Sequence, residues 1–271
     1  MQPLAKAPLP QDARYVALGS SFAAGPGIDP AERPRTRCAR SMLNYAHQLA
    51  ARRRLTLVDV SCGGATTAHL LGPWNELPPQ LDSVTADTRL VTVTIGGNDV
   101  GYVGRLFGAS CRASATNPSV CPRLPEPSDE DWEKLHASMK RIATEVKYRA
   151  PLARLIFVDY VTLLPEEGSC QATPMGSEDA GKMRAVARRL ADLTAQAAQE
   201  AGAEILSAWA LSRNHTPCQP EPWAAGVPYK GGPKVLAAYH PTLLGMTAIA
   251  DALDDMLRYS PSTKPGKSAS K

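Results

Sequence analysis

Short apolar segments alternate with amphipathic segments along most of this chain. Five segments are apolar or β-branched and too short for a typical helix: Arg14–Leu18, Leu55–Val60, Arg89–Ile95, Arg154–Val158 and Glu204–Leu206. Helical periodicity or helix-boundary residues mark four longer segments: Ala39–Arg53, Asp129–Arg149, Ser177–Ala201 and Pro241–Tyr259. Apolar strands separated by helices are typical of a mostly parallel sheet with helices on both faces. The alternation therefore predicts a three-layer α/β/α sandwich around a central sheet of about five strands.

The chain is long enough to form one large domain. Its 271 residues show no internal repeat and no break in composition near the middle. We expect one domain over residues 13–259, an N-terminal extension over 1–12 and a disordered tail over 260–271, where serine, proline and lysine are frequent. No apolar run reaches the roughly 18 residues that cross a bilayer. The N-terminal segment also lacks the apolar core of a signal peptide.

The charge of the chain argues against a nucleic-acid partner. The net charge is +4, and Lys264, Lys267 and Lys271 of the tail supply three of these charges without any acidic neighbour in the tail. The body of the chain therefore carries a net charge of only +1. Domains that bind nucleic acid usually carry a much stronger positive patch.

The cysteines indicate disulfides rather than a metal site. None forms a Cys-x-x-Cys pair, and no cysteine–histidine cluster has zinc spacing, so no metal is expected. Six well-separated cysteines favour three disulfides and an oxidising compartment. Many pairings are open, and the sequential one is the simplest: Cys38–Cys62, Cys111–Cys121 and Cys170–Cys218. Buried free thiols in a cytosolic protein are the alternative.

Three long segments between these elements are predicted to be irregular. They cover Gly108–Asp129, Leu163–Gly176 and Ser212–Tyr239, and each contains at least one cysteine. Long segments without regular structure are usually functional or pinned, and disulfides would pin them here.

Residues that could take part in catalysis follow three of the predicted strands, and one more precedes the last helix. Ser21 follows the first strand, Gly64 the second and Asn98 the third, while His240 comes directly before Pro241. Ligands of parallel sheets bind beyond the carboxyl ends of the strands, so we expect these four residues to meet at one edge. They would bring together a nucleophile, a backbone N–H, a side-chain amide and an imidazole.

Each of these residues also has an ordinary structural interpretation. Gly19–Gly25 would serve as a strand–turn–helix junction, and Asn98 would cap a helix that starts near Asp99. His240 would be a buried or surface histidine like the other four: His47, His69, His136 and His215. A phosphate-binding loop is not expected because Gly-Lys-Ser/Thr is missing. The catalytic interpretation is favoured because the four motifs occur together and in register.

The four motifs resemble those of the SGNH hydrolase superfamily, also called GDSL esterases and lipases. Gly19-Ser20-Ser21-Phe22 stands where the family has Gly-Asp-Ser-Leu, and Gly64, Asn98 and His240 match the other three motifs in order. The resemblance covers roughly Tyr15–Ala250, which is nearly the whole chain. The six cysteines are similar to the secreted actinobacterial branch. The resemblance also implies a flavodoxin-like order of the central sheet.

The resemblance implies a secreted serine esterase or lipase that uses neither a metal nor an organic cofactor. Ser21 would attack a carboxylic ester and form an acyl-enzyme, with His240 as general base. The N–H groups of Ser21 and Gly64 and the side chain of Asn98 would form the oxyanion hole. Together with the cysteines, the resemblance implies an extracellular location, or one in the periplasm or cell envelope.

The chain departs from the family pattern at two positions. Ser20 replaces an aspartate that is not the nucleophile, so hydrogen bonding should differ locally while the chemistry survives. Ala237 stands three residues before His240, where the family usually has an acid, and the closest acid upstream is Glu221. We therefore hypothesise a serine–histidine dyad whose imidazole N–H donates to a main-chain oxygen within Gly231–Ala238.

The expected substrate is a carboxylic ester with a short or medium acyl chain, either a small molecule or a lipid. The enzyme is expected to be a monomer that makes transient contact with a lipid surface. Four tryptophans are available to line an acyl pocket or a sugar platform: Trp74, Trp132, Trp209 and Trp223. Two alternatives stay open. One is a carbohydrate acetylesterase, and the other is a binding module with a catalytically idle pocket, which the missing acid favours.

Overall fold

A computed structural model describes residues 9–258, which form five strands and eight α-helices. The strands are β1 (Arg14–Gly19), β2 (Thr56–Asp59), β3 (Thr88–Thr94), β4 (Arg154–Val158) and β5 (Glu204–Leu206). The helices are α1 (Ser21–Ala24), α2 (Tyr45–Arg53), α3 (Thr67–Leu71), α4 (Tyr102–Ser114), α5 (Asp129–Arg149), α6 (Ser177–Glu200), α7 (Ala208–Leu211) and α8 (Leu243–Arg258). Two short 3₁₀ helices lie at Gln80–Ser83 and Pro118–Val120.

All five strands pair in parallel, in the order β2-β1-β3-β4-β5. Val16 of β1 lies opposite Val58 of β2 on one side and opposite Val91 of β3 on the other. The chain first moves outward from β1 to β2 and then returns to β3, so the direction of winding reverses beside β1. Such a reversal opens a crevice at the carboxyl ends of the strands, where ligands of these folds bind.

Helices cover both faces of the sheet, which confirms the predicted three-layer sandwich with a flavodoxin-like sheet. Helix α2 packs against α8, while α5 packs against α6 and α3. Every residue of β4 is buried. Phe157 of this strand is fully buried, and its truncation to alanine would cost about 3–5 kcal/mol of stability. The sheet is therefore a rigid base for the loops at its carboxyl edge.

Helix α5 is stabilised by a capped N-terminus and by one buried apolar face. The hydroxyl of Ser128 accepts the N–H of Asp131, and the carboxylate of Asp131 accepts the N–H of Ser128, which forms a capping box. Buried residues then recur every three or four positions: Trp132, Leu135, Met139, Ile142 and Val146. This spacing places one apolar face against the sheet. The observed bounds of α5 are those that the sequence predicts.

Two predicted helices begin later than expected. Helix α2 starts at Tyr45 rather than Ala39, because the side chain of Asn44 accepts the N–H of His47 and caps the helix there. Helix α8 starts at Leu243, two residues later than predicted.

Helix α4 corrects the prediction that Gly108–Asp129 is irregular throughout. It runs over Tyr102–Ser114, and it buries Tyr102, Leu106 and Ala109 on one face. Glycine within this segment conceals the helical pattern. Gly108 is required by packing, since a Cβ there would lie 2.4 Å from the carbonyl oxygen of Pro122.

The six cysteines form three disulfides, in the sequential arrangement. The pairs are Cys38–Cys62, Cys111–Cys121 and Cys170–Cys218, with S–S distances of 2.07, 2.03 and 2.12 Å. The first pair ties the loop after α1 to the loop after β2. The third ties the loop after β4 to the long loop before α8. Two of the three disulfides therefore constrain loops at the carboxyl edge of the sheet.

The predicted tail over 260–271 lies outside the described residues, as do residues 1–8 of the predicted N-terminal extension. Residue Asp12 is docked on the domain, because its N–H donates to the carbonyl of Arg54 at 2.8 Å. Between residues 9 and 258, no helix has the length and apolar character that a membrane span needs.

Candidate active site

The first strand presents Ser21 through a turn that only glycine fits. Gly19 ends β1 with a φ of +142°, and a Cβ there would lie 2.4 Å from the carbonyl oxygen of Thr94 on β3. The next residue, Ser20, donates its N–H to the same oxygen at 2.9 Å. Ser21 is therefore the first residue of α1, where its N–H has no acceptor within the helix. A hydroxyl and a backbone N–H are thus presented together at the carboxyl end of β1.

Gln80 holds this turn through both backbone groups of Gly19. Its side-chain oxygen accepts the N–H of Gly19 at 2.8 Å, and its amide nitrogen donates to the carbonyl of Gly19 at 3.0 Å. Gln80 is buried, so these polar groups are satisfied away from water. Gln80 is not among the predicted site residues, because a single polar residue after Pro78-Pro79 has neither periodicity nor a motif.

The loop after β2 carries Gly64 and is hydrogen-bonded to the end of β1. The N–H of Cys62 donates to the carbonyl of Gly19 at 3.0 Å. Gly64 has a φ of +85°, which side chains rarely adopt, and a Cβ there would lie 3.3 Å from the indole ring of Trp74. Glycine therefore suits this position for two reasons: it adopts the positive φ without strain, and it leaves room for the indole ring of Trp74.

Trp74 lies beside Gly64 of the predicted oxyanion hole, and two side chains pack against its ring. The ring of His69 stacks on it at 4.0 Å between centroids, and the guanidinium of Arg37 lies 3.9 Å from its centroid. Arg37 also donates to the carbonyl of Trp74 at 2.9 Å. The other three tryptophans make different contacts: Trp132 and Trp209 lie against arginines, and Trp223 stacks on His215. Trp74 therefore lies against a predicted site residue, Gly64.

Asn98 and Asp99 tie the loop after β3 to the loop after β2. Nδ2 of Asn98 donates to the carbonyl of Ala65 at 2.8 Å, and a primary amide has a second hydrogen to donate elsewhere. The carboxylate of Asp99 accepts the N–H of Thr67 at 3.1 Å and its hydroxyl at 2.5 Å. Burial raises the pKa of Asp99, while these hydrogen bonds oppose the shift. Asn98 caps no helix here, because α4 begins only at Tyr102.

His240 connects Ser21 to the backbone of its own loop. Its Nε2 lies 2.8 Å from Oγ of Ser21, and its Nδ1 lies 2.8 Å from the carbonyl oxygen of Ala238. A carbonyl oxygen only accepts, so Nδ1 carries the hydrogen and Nε2 is left to accept a proton from Ser21. Burial lowers the pKa of His240, and the hydrogen bond to Ala238 opposes part of this shift. A lowered pKa favours the neutral imidazole, which is the form that can accept a proton at Nε2.

No carboxylate orients His240 among residues 9–258. Its two ring nitrogens lie 2.8 Å from the carbonyl oxygen of Ala238 and 2.8 Å from Oγ of Ser21. Glu221 is exposed, and its main-chain oxygen lies 3.0 Å from Nδ1 of His215. Ala237, at the position of the missing acid, lies against Gly27 in the loop after α1. The hydrogen-bond acceptor of His240 is therefore a main-chain oxygen within the predicted segment.

Tyr160 joins the first and third motifs, although it is not among the predicted site residues. Its hydroxyl accepts the N–H of Gly97 at 2.8 Å and lies 3.4 Å from Oγ of Ser20. Its ring lies 4.5 Å from that of Phe22, and burial raises the pKa of its hydroxyl. Ser20, which replaces the aspartate of the family motif, therefore lies beside a buried phenol. The position of Tyr160 just after β4 is the signal that would have pointed to it.

The other histidines contact residues outside the dyad. His47 lies beside Asn44, His69 beside Thr66, and His136 beside Glu200, while His215 meets Glu221. Over the described part of the chain, no group of three or more His, Cys, Asp or Glu side chains could hold a metal ion.

The motifs and their geometry agree with a comparison against family models. The model of the GDSL-like lipase/acylhydrolase family matches residues 17–248, a range that contains Ser21, Gly64, Asn98 and His240. The chain belongs to this family. Its curated relatives include Lipase 2 of Streptomyces coelicolor, which is 32% identical over 252 residues, or 90% of this chain and 85% of the relative. A lipase of Streptomyces rimosus is 27% identical over 89% of this chain and 85% of its own length.

These relatives confirm the resemblance to the actinobacterial branch, and they show that this GDSL-family chain is an ester hydrolase. Two solved structures share its fold over 90% of this chain and 99% of each neighbour. They are phospholipase A1 from Streptomyces albidoflavus, with a TM-score of 0.72 and 22% identity, and the extracellular lipase of Streptomyces rimosus, with 0.71 and 24%. At these identities the structural likeness supports the fold alone.

Proposed function

We propose that this GDSL-family hydrolase is a secreted serine esterase or lipase that cleaves carboxylic esters through an acyl-enzyme on Ser21. The observation that carries the proposal is the hydrogen-bonded relay from Ser21 Oγ to His240 Nε2 and from His240 Nδ1 to the carbonyl of Ala238. A serine hydroxyl is a weak nucleophile unless an adjacent base removes its proton. The relay supplies that base in the correct tautomer.

The acylation step begins when Oγ of Ser21 attacks the ester carbonyl while Nε2 of His240 takes its proton. The carbonyl oxygen gains the negative charge of the tetrahedral intermediate. Collapse of this intermediate breaks the bond to the alkoxy oxygen, which leaves as an alcohol after it takes the proton from His240. The carbonyl of Ala238 keeps Nδ1 oriented in both steps, but as a neutral group it stabilises the imidazolium less than a carboxylate would.

The oxyanion would be stabilised by three neutral donors: the N–H of Ser21, the N–H of Gly64 and the side-chain amide of Asn98. Ser21 supports this role because its N–H is at the start of α1, and Asn98 because one amide hydrogen is left after its bond to Ala65. The loss of one such donor typically lowers the rate by about 10²–10³.

Deacylation repeats the same chemistry with water. His240 takes a proton from a water molecule while the oxygen of that water attacks the acyl carbon. Collapse of the second tetrahedral intermediate breaks the bond to Ser21 Oγ, and His240 returns the proton to that oxygen. The carboxylic acid leaves, and the free enzyme is restored. The complete cycle requires no group beyond these side chains, backbone N–H groups and water.

The substrate is proposed to be a small-molecule or lipid ester, and the site of action to lie outside the cytoplasm. The curated relatives are named lipases and an esterase, which supports the substrate class. Three disulfides support an oxidising compartment, and one structural neighbour is an extracellular lipase. We propose a monomer that touches a lipid surface transiently when the ester is a lipid.

Labelling with a fluorophosphonate tests the nucleophile directly. We expect one adduct, located on Ser21 by mass spectrometry, and hydrolysis of p-nitrophenyl acetate by the unlabelled enzyme. Ser21→Ala should lose both, whereas Ser114→Ala, at an exposed serine that ends α4, should keep both. A protein without an adduct on Ser21 and without hydrolysis would be a binding module instead.

A chain-length series separates a lipase from a carbohydrate acetylesterase. The assay compares p-nitrophenyl acetate, octanoate and decanoate with acetylated xylan at equal ester concentration. Turnover of the medium chains with little release of acetate from xylan is expected for the proposed function. The opposite pattern would favour the acetylesterase.

A further inference from the structure

The residue directly before His240 has an unusual backbone conformation. Tyr239 has a φ of +57°, in the left-handed region that disfavours residues with a Cβ. Glycine or asparagine is the usual choice at such a position. Tyrosine has no advantage over glycine in this backbone conformation, and strain of this kind persists only where the surrounding structure holds it.

The left-handed turn makes the contact between His240 and Ala238 available. The chain turns at Ala238 and Tyr239. In this turn, Nδ1 of His240 lies 2.8 Å from the carbonyl oxygen of Ala238. A backbone carbonyl therefore occupies the position where the family usually has a carboxylate.

The side chain of Tyr239 fastens this turn to helix α4. The ring is fully buried, and it meets the ring of Phe107 edge-on at 5.5 Å between centroids. Its hydroxyl forms a hydrogen bond with the hydroxyl of Ser110, which is also buried. Phe107 and Ser110 are one turn apart on α4, so the ring and the hydroxyl are held by the same rigid element.

Main-chain hydrogen bonds support the same segment on both sides of the turn. The N–H of Tyr239 donates to the carbonyl of Ala225 at 2.8 Å, and the N–H of Ala225 donates to the carbonyl of His240 at 2.9 Å. These bonds attach the backbone to another part of the same long loop, which is itself irregular. The buried side chain of Tyr239 adds a contact between this turn and α4.

We propose that Tyr239 is a positioning residue for the reaction, whose anchored ring holds the turn that aims the Ala238 carbonyl at His240. The inference rests on the proposed function. It assigns to α4 a second role, because this helix follows the Asn98 loop at its start and holds the His240 loop further along. The base and the oxyanion donor would then be aligned through one helix.

The test compares Tyr239→Phe, Ser110→Ala and the double variant, with Tyr148→Phe as the matched control. Tyr148 lies on α5 and is 85% exposed, so its hydroxyl should not matter. Each single variant removes one buried hydrogen bond, and we expect kcat on p-nitrophenyl acetate to fall about tenfold with KM within about twofold. The double variant should be no slower than the slower single variant, because both changes remove the same bond.

Tyr239→Gly separates the ring from the backbone conformation. Glycine adopts a positive φ without strain, so a role limited to backbone geometry predicts full activity. An anchoring role predicts a fall in kcat of about a hundredfold, because the turn loses its link to α4 and misplaces the base by a fraction of an ångström or more. Circular dichroism and a thermal melt establish that each variant is folded at the assay temperature.

The inference is overturned if folded Tyr239→Phe and Ser110→Ala keep kcat within twofold of wild type, or if folded Tyr239→Gly is fully active. If the glycine variant does not fold, the hydroxyl variants decide alone. Fluorophosphonate labelling of the wild type distinguishes the two proposals: an unlabelled Ser21 refutes the proposed function, whereas a labelled Ser21 with unaffected variants refutes only the role of Tyr239.

Discussion

Replacement of Asn98 by alanine is the perturbation that best separates catalysis from stability in this site. The side chain has one observed task and one proposed task. One amide hydrogen binds the carbonyl of Ala65 at 2.8 Å and holds the loop after β2. The other is proposed to bind the developing oxyanion of the substrate. Asn98→Ala removes both, but the two losses are measured by different experiments.

The magnitudes of these losses differ. The missing oxyanion donor should lower kcat by about 10²–10³, which corresponds to roughly 3–4 kcal/mol of transition-state stabilisation. The missing bond to Ala65 leaves one buried carbonyl without this donor, which should cost about 1–3 kcal/mol in the free energy of unfolding. The enzyme should therefore stay folded while it loses most of its turnover.

Asn98→Asp tests whether the donor itself matters. Aspartate has nearly the volume of asparagine, but an ionised carboxylate has no N–H and places a negative charge beside the oxyanion and the Ala65 carbonyl. We expect Asn98→Asp to be slower than Asn98→Ala, although alanine leaves more empty space. If only volume mattered, the order would be reversed.

The assay measures kcat on p-nitrophenyl acetate at pH 8 and the free energy of unfolding in urea. Asn214→Ala is the matched control, since Asn214 is exposed in the loop after α7. Two results would refute the reasoning. One is a loss of less than fivefold for Asn98→Ala, and the other is an aspartate variant at least as active as the alanine variant.

Three further predictions follow from the charges near the carboxyl edge. Glu221→Gln should keep kcat within a few-fold, because His240 is oriented by Ala238, and a thousandfold loss would show that a carboxylate is used. Burial lowers the pKa of His240, so kcat/KM should fall with decreasing pH only below about 6.5, and a midpoint above that value would contradict the assignment. Burial raises the pKa of Asp159 to about 7, above its value in the unfolded chain, so the native state binds the extra proton and loses stability as pH rises from about 4 to about 7. Asp159→Asn should remove this slope in urea melts, and an unchanged slope would assign it to another group.

Local chemistry accounts for what the sequence alone could predict. The bounds of α5 and β4 follow from periodicity and capping within each segment, so they are correct without any knowledge of the fold. The predicted site residue Ser21 follows from its place after an apolar strand and Gly19, which is again a local pattern. Helix α4 was missed because glycine disturbs its local pattern, although Gly108 is needed there by the close approach of Pro122.

Tertiary structure alone decides how the site is held together. Gln80 reaches Gly19 from 61 positions away, and Tyr160 reaches Gly97 from 63. The sequence showed that His240 lacks its usual acid, and it restricted the substitute acceptor to a segment. The choice of Ala238 depends on a left-handed turn at the preceding residue, whose ring is anchored 129 positions away on α4. Contacts at such separations leave no periodic pattern in a sequence, because they arise only when the strands and helices have packed.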